Sequence, residues 1–295
     1  MEIFPKKAVI PAAGIGTRLL PATKSQPKEM LPVGRKPVIQ YVVEEIRAAG
    51  LTEILIITNQ HKRAIEDHFD HDPHLLSFLS QNGKLTDGVE TIEQDVELFY
   101  VRQSDPKGLA DAIDKAESFV GNEPFVVCLG DSIIKSTSPG GILKRLIETH
   151  QQERADVAIL FEEVDPQSVV KYGIAKPAKP EGKTDAIFEI ADLIEKPTVA
   201  EAPSNLAIAA RYVFSPKIFE FIKKTEPGRN NEIQITDSIR LMLAQGDRGF
   251  GVRLGSGEKR YDIGNYKSYF EAFFRFSLAD PEFGQDFSRF VKTHL

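Results

Sequence analysis

The sequence predicts an α/β fold in which an open, mainly parallel (mixed) sheet carries helices on both faces. Two observations predict it. Short apolar runs alternate with amphipathic helical segments from Ala8 to Val164, and turn-forming residues separate these segments. The 295 residues are also enough to bury a substantial core. We therefore expect one domain over residues 1–295, with 264–295 as its C-terminal helical segment.

The first half of the chain alternates between the two kinds of element. The predicted strands are Ala8–Pro11, Glu53–Thr58, Val96–Val101, Phe125–Leu129 and Val157–Val164. The predicted helices are Lys36–Ala49, Lys62–Phe69, Leu109–Val120 and Gly141–His150. The first of these helices starts beside Pro37 and ends before Gly50, which are residues typical of the two ends of a helix.

After Val164 the alternation gives way to strands separated by loops rich in Pro, Lys and Gly. The predicted strands are Ile187–Ile194, Ala207–Phe214 and Phe250–Leu254, and the predicted helices are Ile218–Lys223 and Glu232–Ala244. Aromatic spacing predicts two more helices, one over Tyr266–Leu278 and one with Phe283, Phe287 and Phe290 on a single face. Because such faces need burial, we expect the first helix to pack on its own domain and the second to contribute to a homo-oligomer, either a dimer or a tetramer.

Charge and composition exclude several classes of protein. The net charge of −6 leaves no global basic field for a nucleic acid, and no apolar stretch reaches the roughly 18 residues that span a bilayer. The N-terminal stretch MEIFPKKAVIPAAG lacks the pattern of a signal peptide, and the single Cys128 excludes an internal disulfide. We expect a cytoplasmic protein that binds neither nucleic acid nor membrane, and that meets an anionic ligand with local cations or a metal.

The stretch IPAAGIGTRLLPATKSQPKEMLP, from Ile10 to Pro32, places a glycine-rich turn directly after the first predicted strand. It does not match the P-loop, which needs G-x-x-x-x-G-K-[ST]. The dinucleotide fingerprint also fails, because Leu19 replaces its third glycine, and this disfavours a nicotinamide oxidoreductase. What remains is a loop whose backbone amides face an anion, with Arg18 and Lys28 beside it. A guanidinium and an ammonium group suit the several charges of a triphosphate.

These residues resemble the signature of the sugar-1-phosphate nucleotidylyltransferases, G-x-G-T-R-x-x-P-x-T…P-K. The resemblance covers nearly the whole chain in the family's order, through the motifs KPVIQYVVEE, VRQSDPKGLADAI, LGDSII, KYGIA, IEKP, APSNLAIAARYVFSP, NEIQITDSI and YDIGN. The later motifs favour the uridylyltransferase branch. The resemblance implies a Rossmann-like fold of the nucleotide-diphospho-sugar transferase type. It also implies transfer of the uridylyl group of UTP to glucose 1-phosphate, which gives UDP-glucose and pyrophosphate.

The resemblance assigns catalytic roles to Arg18, Lys28 and Asp131. It assigns nucleotide binding to Ala12, Ala13, Gly14, Gly16, Thr17, Glu29, Gln103 and Gly108. The Gln103 amide both donates and accepts hydrogen bonds, which suits the N3–H and O4 edge of uracil, but a flipped amide suits cytosine equally. A thymidylyl- or cytidylyltransferase that acts on a sugar 1-phosphate therefore stays an alternative.

Two aspartates are candidate metal ligands. Asp131 follows a buried strand, at the carboxyl edge where open α/β sheets bind ligands, and Asp262 lies in YDIGN between a strand and the C-terminal helix. The resemblance implies that both hold a Mg²⁺ ion that bridges the nucleotide and the sugar phosphate. It assigns the sugar phosphate to Gly173 in KYGIA and to Glu195 and Lys196 in IEKP.

The implied reaction is an in-line attack of a sugar-phosphate oxygen on the α-phosphorus of UTP, assisted by Mg²⁺. Two anions have to meet, so the protein contributes positioning and neutralisation of charge. Lys28 is expected to stabilise charge on the α-phosphate and Arg18 charge on the β- and γ-phosphates. A non-catalytic regulatory homologue is the other alternative; it is expected to lack Lys28, Asp131 or Asp262, which are all present.

A cluster of histidines allows a different kind of site. The segment EDHFDHDPH contains His68, His71 and His74, and the first two could share a helix face and bind zinc. Pro73 is expected to end that helix. We therefore interpret the cluster as a solvated helix end rather than as a metal site.

Overall fold

The structure is a computed structural model that describes residues 4–83, 95–179, 186–228 and 231–294. Its strands are β1 (Lys7–Pro11), β2 (Pro32–Val33), β3 (Lys36–Pro37), β4 (Glu53–Thr58), β5 (Glu97–Arg102), β6 (Phe125–Cys128), β7 (Ser132–Lys135), β8 (Val157–Glu163), β9 (Gly173–Pro177), β10 (Ile187–Glu195), β11 (Leu206–Phe214), β12 (Gly249–Arg253) and β13 (Lys259–Asp262). Its helices are α1 (Val38–Ala48), α2 (Arg63–Phe69), α3 (Pro73–Gln81), α4 (Leu109–Asp114), α5 (Glu117–Val120), α6 (Gly141–Gln152), α7 (Ile218–Lys224), α8 (Ile235–Ala244), α9 (Tyr266–Leu278) and α10 (Gly284–His294). The expectation of one domain over residues 1–295 includes residues outside the described ranges, and it stays a prediction.

Within the described ranges, one sheet contains nine strands in the order β5-β4-β1-β6-β11-β8-β12-β10-β9. The neighbours β5, β4, β1 and β6 are parallel. From β6 onward the pairing is antiparallel, except for the parallel pair of β8 and β12. The predicted α/β fold with a mixed sheet is confirmed. Parallel pairing, however, dominates only the half of the sheet that begins with β5.

Helices cover both faces of this sheet, as predicted. On one face α4, α5, α7 and α8 pack on strand residues such as Phe125, in a cluster that includes Ile113 and Ile239. On the other face α1, α2 and α6 form a second cluster, to which they contribute residues such as Ile39 and Leu146. The sheet is therefore buried on both faces, as βαβ units with crossovers require.

Most predicted element boundaries lie close to the observed ones. The single helix predicted over Leu109–Val120 is wrong, because the chain forms α4 and α5 instead. The amides of Lys115 and Ala116 donate to the carbonyls of Ala112 and Ile113, at 3.1 and 2.9 Å. These bonds reach back three residues rather than four, so a tighter turn separates the two helices.

Proline accounts for a second difference. The structure begins α3 at Pro73, a residue that the sequence interpretation treated as the end of a helix. The Asp72 side chain accepts a hydrogen bond from an amide of the first turn, at 2.9 Å. An N-cap followed directly by proline starts a helix rather than ending one. His68 and His71 do not share a helix, because α2 ends between them.

Five short strands are absent from the sequence prediction: β2, β3, β7, β9 and β13. They have between two and five residues, so hydrophobic periodicity does not mark them. The pairing of β7 with β13 places Ser132 opposite Asp262. The pairing of β9 with β10 places Gly173 opposite Glu195. The pairing of β7 with β13 connects stretches that are distant in the sequence, and both pairings lie near the predicted site residues.

The C-terminal helices divide their aromatic residues between the core and the surface. Tyr266, Tyr269 and Phe276 of α9 pack on a small cluster that includes Ile263 and Ala272, so this helix docks on the sheet-containing part of the chain as predicted. Other aromatic side chains of the region stay exposed: Phe270, Phe273, Phe274, Phe283 and Phe290. In the part of the chain that the structure describes, no helix has the length and apolar character that crossing a membrane requires.

Candidate active site

A cleft of about 470 Å³ opens at the carboxyl ends of β1, β5 and β6. Ten of the predicted site residues line this cleft: Ala13, Gly14, Gly16, Thr17, Arg18, Lys28, Glu29, Gln103, Gly108 and Asp131. Ala12 is buried behind the wall, where its amide donates to the Ile57 carbonyl at 2.8 Å. The cleft therefore lies at the sheet edge where open α/β folds bind their ligands.

The glycine loop is shaped by short 3₁₀ turns. These turns lie at Thr17–Leu19, Ala22–Lys24 and Lys28–Met30. Gly16 has a φ of 74°, which favours glycine, and the Thr23 hydroxyl donates to its carbonyl at 2.7 Å. Asn59 Nδ2 donates to the Ala13 carbonyl at 2.6 Å. The loop is thus fixed at its start and at its bend, and Asn59 is a positioning residue that the sequence interpretation missed.

Lys28 forms an ion pair at the floor of the cleft. Its Nζ lies 2.5 Å from Asp131 Oδ2, and both side chains are mostly buried. Burial alone lowers the pKa of Lys28, but the carboxylates of Asp131 and Glu29 outweigh it and hold that pKa above its ordinary value. Burial opposes ionisation of Asp131 as well, and the charge of Lys28 reverses this, so the pKa of Asp131 is lowered. Lys28 is therefore a fixed positive charge beside the end of β6.

Glu29 pairs with a lysine that the sequence interpretation assigned only to a helix start. Glu29 Oε2 lies 2.6 Å from Lys62 Nζ, and the two side chains are only 2% and 4% exposed, respectively. Burial raises the pKa of Glu29, and the charges of Lys62 and Lys28 oppose that rise only in part. Lys62 follows β4 at the same sheet edge as the glycine loop, and this position is the signal that could have identified it.

The pairing of β7 with β13 brings the two predicted metal ligands together. Ser132 lies opposite Asp262, and the Ile263 amide donates to the Asp131 carbonyl at 2.9 Å. Burial raises the pKa of Asp262, and the nearby Asp131 carboxylate raises it further. A Cβ at Gly264 would lie 2.9 Å from Asp262 Oδ1, so glycine keeps space for this carboxylate. Two neighbouring carboxylates that repel each other form an arrangement that a cation stabilises.

The three residues predicted for the sugar phosphate also lie together. Gly173 and Glu195 face each other across β9 and β10, and Lys196 Nζ lies 3.1 Å from Glu195 Oε1. Thr236 joins the group, since its hydroxyl donates to Glu195 Oε2 at 2.7 Å. A Cβ at Gly173 would lie 2.7 Å from Ile208 Cδ1 and 3.0 Å from Thr236 Oγ1, so this packing requires glycine. Thr236 lies in the motif NEIQITDSI, which indicated the family but not this contact.

Two chain segments meet at the Gln103 end of the cleft. Gly108 has a φ of 111°, and a Cβ there would lie 2.5 Å from the Ile233 carbonyl oxygen. The Ile233 amide donates to the Lys107 carbonyl at 2.7 Å, and the Ala110 amide donates to the Ile233 carbonyl at 3.0 Å. Gly108 is therefore required by the close approach of the segment that leads into α8, the helix that carries Thr236.

The nucleotidyl transferase family model matches residues 7–277. The chain belongs to this family. A curated relative of this nucleotidyl transferase from Staphylococcus epidermidis is named UTP–glucose-1-phosphate uridylyltransferase; it is 43% identical over 290 residues, which are 97% of each chain. A solved UTP-bound UGPase from Acinetobacter baumannii has a TM-score of 0.88 at 36% identity and covers 97% of this chain and 98% of its own. A solved UDP-glucose pyrophosphorylase complexed with UDP-glucose has a TM-score of 0.83 at 39% identity, with coverage of 94% and 100%.

These matches confirm the resemblance that the sequence motifs indicated. They also confirm the fold, because both solved relatives superpose over nearly the whole nucleotidyl transferase chain. The structure places the glycine loop, Lys28 and Asp131 at one edge of the nine-stranded sheet, and the pairing of β7 with β13 brings Asp262 near Asp131. It places the group around Glu195 on the antiparallel half of the same sheet.

Proposed function

We propose that this nucleotidyl transferase transfers the uridylyl group of UTP to glucose 1-phosphate and releases UDP-glucose and pyrophosphate. The observation that carries the proposal is the convergence of Lys28, Asp131 and Asp262 beside the glycine loop, where they suit the phosphates of a nucleotide. A relative named for this activity at 43% identity supports the choice of substrates. A solved neighbour that holds UDP-glucose supports the choice of product.

In the proposed reaction an oxygen of the sugar phosphate attacks the α-phosphorus of UTP, in line with the departing pyrophosphate. Lys28, held by Asp131, stabilises charge on the α-phosphate. Arg18, on the cleft wall, binds the β- and γ-phosphates together with the backbone amides of the glycine loop. The attacking phosphate is ionised at about neutral pH, so no side chain has to act as a general base.

Asp131 and Asp262 fit a divalent cation, because their carboxylates are close together, largely buried and mutually repulsive. Among the described residues no third His, Cys, Asp or Glu joins them. This suits Mg²⁺, which keeps several coordination positions for substrate phosphates and water. When bound, Mg²⁺ neutralises charge on the reacting phosphate groups. The contribution of the chain is that Lys28 keeps Asp131 ionised and therefore able to bind a cation.

The remaining site residues are divided between the two substrates. We place the nucleotide on Ala12, Ala13, Gly14, Gly16, Thr17, Glu29, Gln103 and Gly108, with uracil against Gln103. In the other group, Glu195 accepts hydrogen bonds from sugar hydroxyls and Lys196 neutralises the sugar phosphate. The hydrogen bond from Thr236 holds the Glu195 carboxylate in place. The lack of a side chain at Gly173 leaves space for Thr236 beside it.

We also propose a cytoplasmic homo-oligomer, either a dimer or a tetramer. Phe283 and Phe290 are exposed, and burial of such aromatic surface against another copy stabilises an assembly. Phe287 contributes less, because its ring packs on Phe274 at 5.9 Å between centroids. Light scattering of a chain that ends at Asp280 tests this. A drop to the mass of one subunit is expected, whereas an unchanged mass with a lower melting temperature contradicts the proposal.

The experiment that tests the function is a panel of nucleoside triphosphates against sugar 1-phosphates, read by the release of pyrophosphate. We expect UTP with glucose 1-phosphate to give the highest kcat/KM. Faster turnover of dTTP or CTP would favour the alternative transferases. Binding of UTP without release of pyrophosphate, in the presence of Mg²⁺ and each sugar phosphate, would favour a non-catalytic homologue.

A further inference from the structure

The side chain of Gln103 is held in one orientation by a residue outside the predicted site. Gln103 is 3% exposed, and its backbone amide donates to the Thr58 carbonyl at 2.9 Å. Its Nε2 donates to Asp111 Oδ2 at 2.5 Å and lies 3.4 Å from the Gly108 carbonyl oxygen. Gln103 Oε1 accepts no hydrogen bond from the described part of the chain. The amide nitrogen is therefore engaged with the protein, and the amide oxygen is left for a ligand.

The Asp111 contact fixes which end of the amide carries the nitrogen. A carboxylate only accepts hydrogen bonds, so a flipped Gln103 would place two acceptor oxygens at about the distance of a hydrogen bond. Asp111 Oδ1 is also paired with Lys115 Nζ at 3.2 Å, and Lys115 lies directly after the end of α4. The bond from Gln103 to this carboxylate is also charge-assisted, which makes it stronger than one between neutral groups.

We infer that Asp111 selects uracil and thymine over cytosine by presenting the Gln103 oxygen, and not its nitrogen, to the base. Uracil and thymine carry an N3–H donor, whereas cytosine has an unprotonated N3 that repels an acceptor. The inference rests on the proposed function, in which Gln103 meets the base. It resolves the ambiguity of a freely rotating glutamine. Asp111 is thus a positioning residue that acts through Gln103.

The test compares Asp111→Asn with Asp114→Asn, each assayed with UTP and with CTP. An asparagine at 111 can either donate or accept, so it no longer opposes a flipped Gln103. Asp114 is a matched control, since it lies on the same helix and its carboxylate pairs with Lys115 at 3.8 Å instead of contacting Gln103. The readout is the ratio of kcat/KM for UTP to that for CTP. Both nucleotides are measured on the same sample, so the ratio does not depend on the fraction of folded protein.

We expect Asp111→Asn to lower the UTP-to-CTP ratio about tenfold, which is the order of one hydrogen bond, and to act mainly on the KM for UTP. Asp114→Asn should leave the ratio unchanged. In a Gln103→Leu background, Asp111→Asn should have no further effect on the ratio, because its action requires the amide. Equilibrium binding of Mg²⁺–UTP and Mg²⁺–CTP, measured by calorimetry, should shift in the same sense.

The outcomes separate this inference from the proposed function. An Asp111→Asn variant with the wild-type ratio, in a protein that uses UTP, overturns the role of Asp111 and leaves the uridylyltransferase proposal intact. An equal loss of selectivity in Asp114→Asn also overturns it, because a general effect of charge on α4 then explains the change. A wild-type protein that neither binds nor turns over UTP overturns both.

Discussion

The two halves of the sheet contribute to the candidate site in different ways. In the parallel half, the glycine loop, Gln103 and Asp131 each follow the carboxyl end of a strand. In the antiparallel half, Gly173, Glu195 and Thr236 meet because strands and a helix from separate parts of the chain pack together. A parallel edge therefore collects ligand-binding residues by topology alone, whereas the antiparallel half depends on specific long-range contacts.

The two ends of the site also differ in charge. Around the glycine loop, the ion pairs Lys28–Asp131 and Glu29–Lys62 place buried charges where the proposed reaction has the phosphates bound. Around Glu195, the carboxylate is held by the neutral hydroxyl of Thr236 and by the more exposed Lys196, which suits the hydroxyl groups and the phosphate of a sugar phosphate. Changes to the charged residues around the glycine loop should therefore lower kcat, and changes around Glu195 should mainly raise the KM for the sugar phosphate.

The largest effect should come from Lys28→Ala, which removes the charge expected to stabilise the α-phosphate. We expect kcat to fall by roughly 10²–10³. The melting temperature should also fall, since the carboxylates of Asp131 and Asp262 then face each other without the ammonium group. Steady-state kinetics below the melting temperature measures the first effect. Lys223→Ala is the control, because this exposed lysine forms a surface ion pair of little energetic weight. Near-normal turnover of Lys28→Ala would remove Lys28 from the mechanism.

A smaller effect should follow from Asp131→Asn and from Asp262→Asn. Each should raise the Mg²⁺ concentration for half-maximal rate at least about tenfold, because each removes one of two neighbouring charges. EDTA should abolish the activity of the wild-type protein, and added Mg²⁺ should restore it. Titration of the rate with Mg²⁺ measures the shift, with the exposed Asp286→Asn as control. An unaltered dependence on Mg²⁺ in both variants would contradict a shared metal site.

The smallest effect concerns β11, the strand that joins the parallel and antiparallel halves. Ala210 has a φ of 62°, at an irregularity in the pairing of β11 with β8. An alanine in a left-handed backbone conformation costs about 1–2 kcal/mol, and glycine avoids this cost. Ala210→Gly should therefore stabilise the fold by about 1 kcal/mol, which raises the melting temperature by about 2 °C. The matched control is Ala209→Gly on the same buried strand, which should lower the melting temperature. Destabilisation by Ala210→Gly would show that this strain is offset elsewhere.

The same contrast between the halves explains what the sequence could predict. The strands of the parallel half and the residues that follow them are found because continuous apolar runs end in polar or glycine residues, as FVVCL ends at Asp131. The resemblance supplied Glu195 and Lys196, but no local pattern indicates Thr236, whose contact spans separate elements. Lys62 and Asp111 were missed for a related reason. Lys62 contacts Glu29, and Asp111 contacts Gln103. These contacts exist only in the folded chain, and no sequence pattern indicates them.

The start of α3 at Pro73 could not be predicted from the proline alone. Proline both ends helices and begins them, and the choice depends on whether an N-cap precedes it. Asp72 provides that cap, because its side chain accepts a hydrogen bond from the Leu75 amide in the first turn of α3. The break between α4 and α5 has no proline or glycine to mark it, so periodicity merged the two helices.

In the proposed reaction, the parallel half of the sheet holds the nucleotide and the antiparallel half holds the sugar phosphate. The most direct test measures both KM values for Thr236→Val, which keeps the volume of the side chain but loses its hydrogen bond to Glu195. Thr236→Ser, which retains the hydroxyl, is the control. We expect Thr236→Val to raise the KM for glucose 1-phosphate about tenfold and to leave the KM for UTP unchanged. An equal rise in both KM values, or a rise for UTP alone, would contradict it.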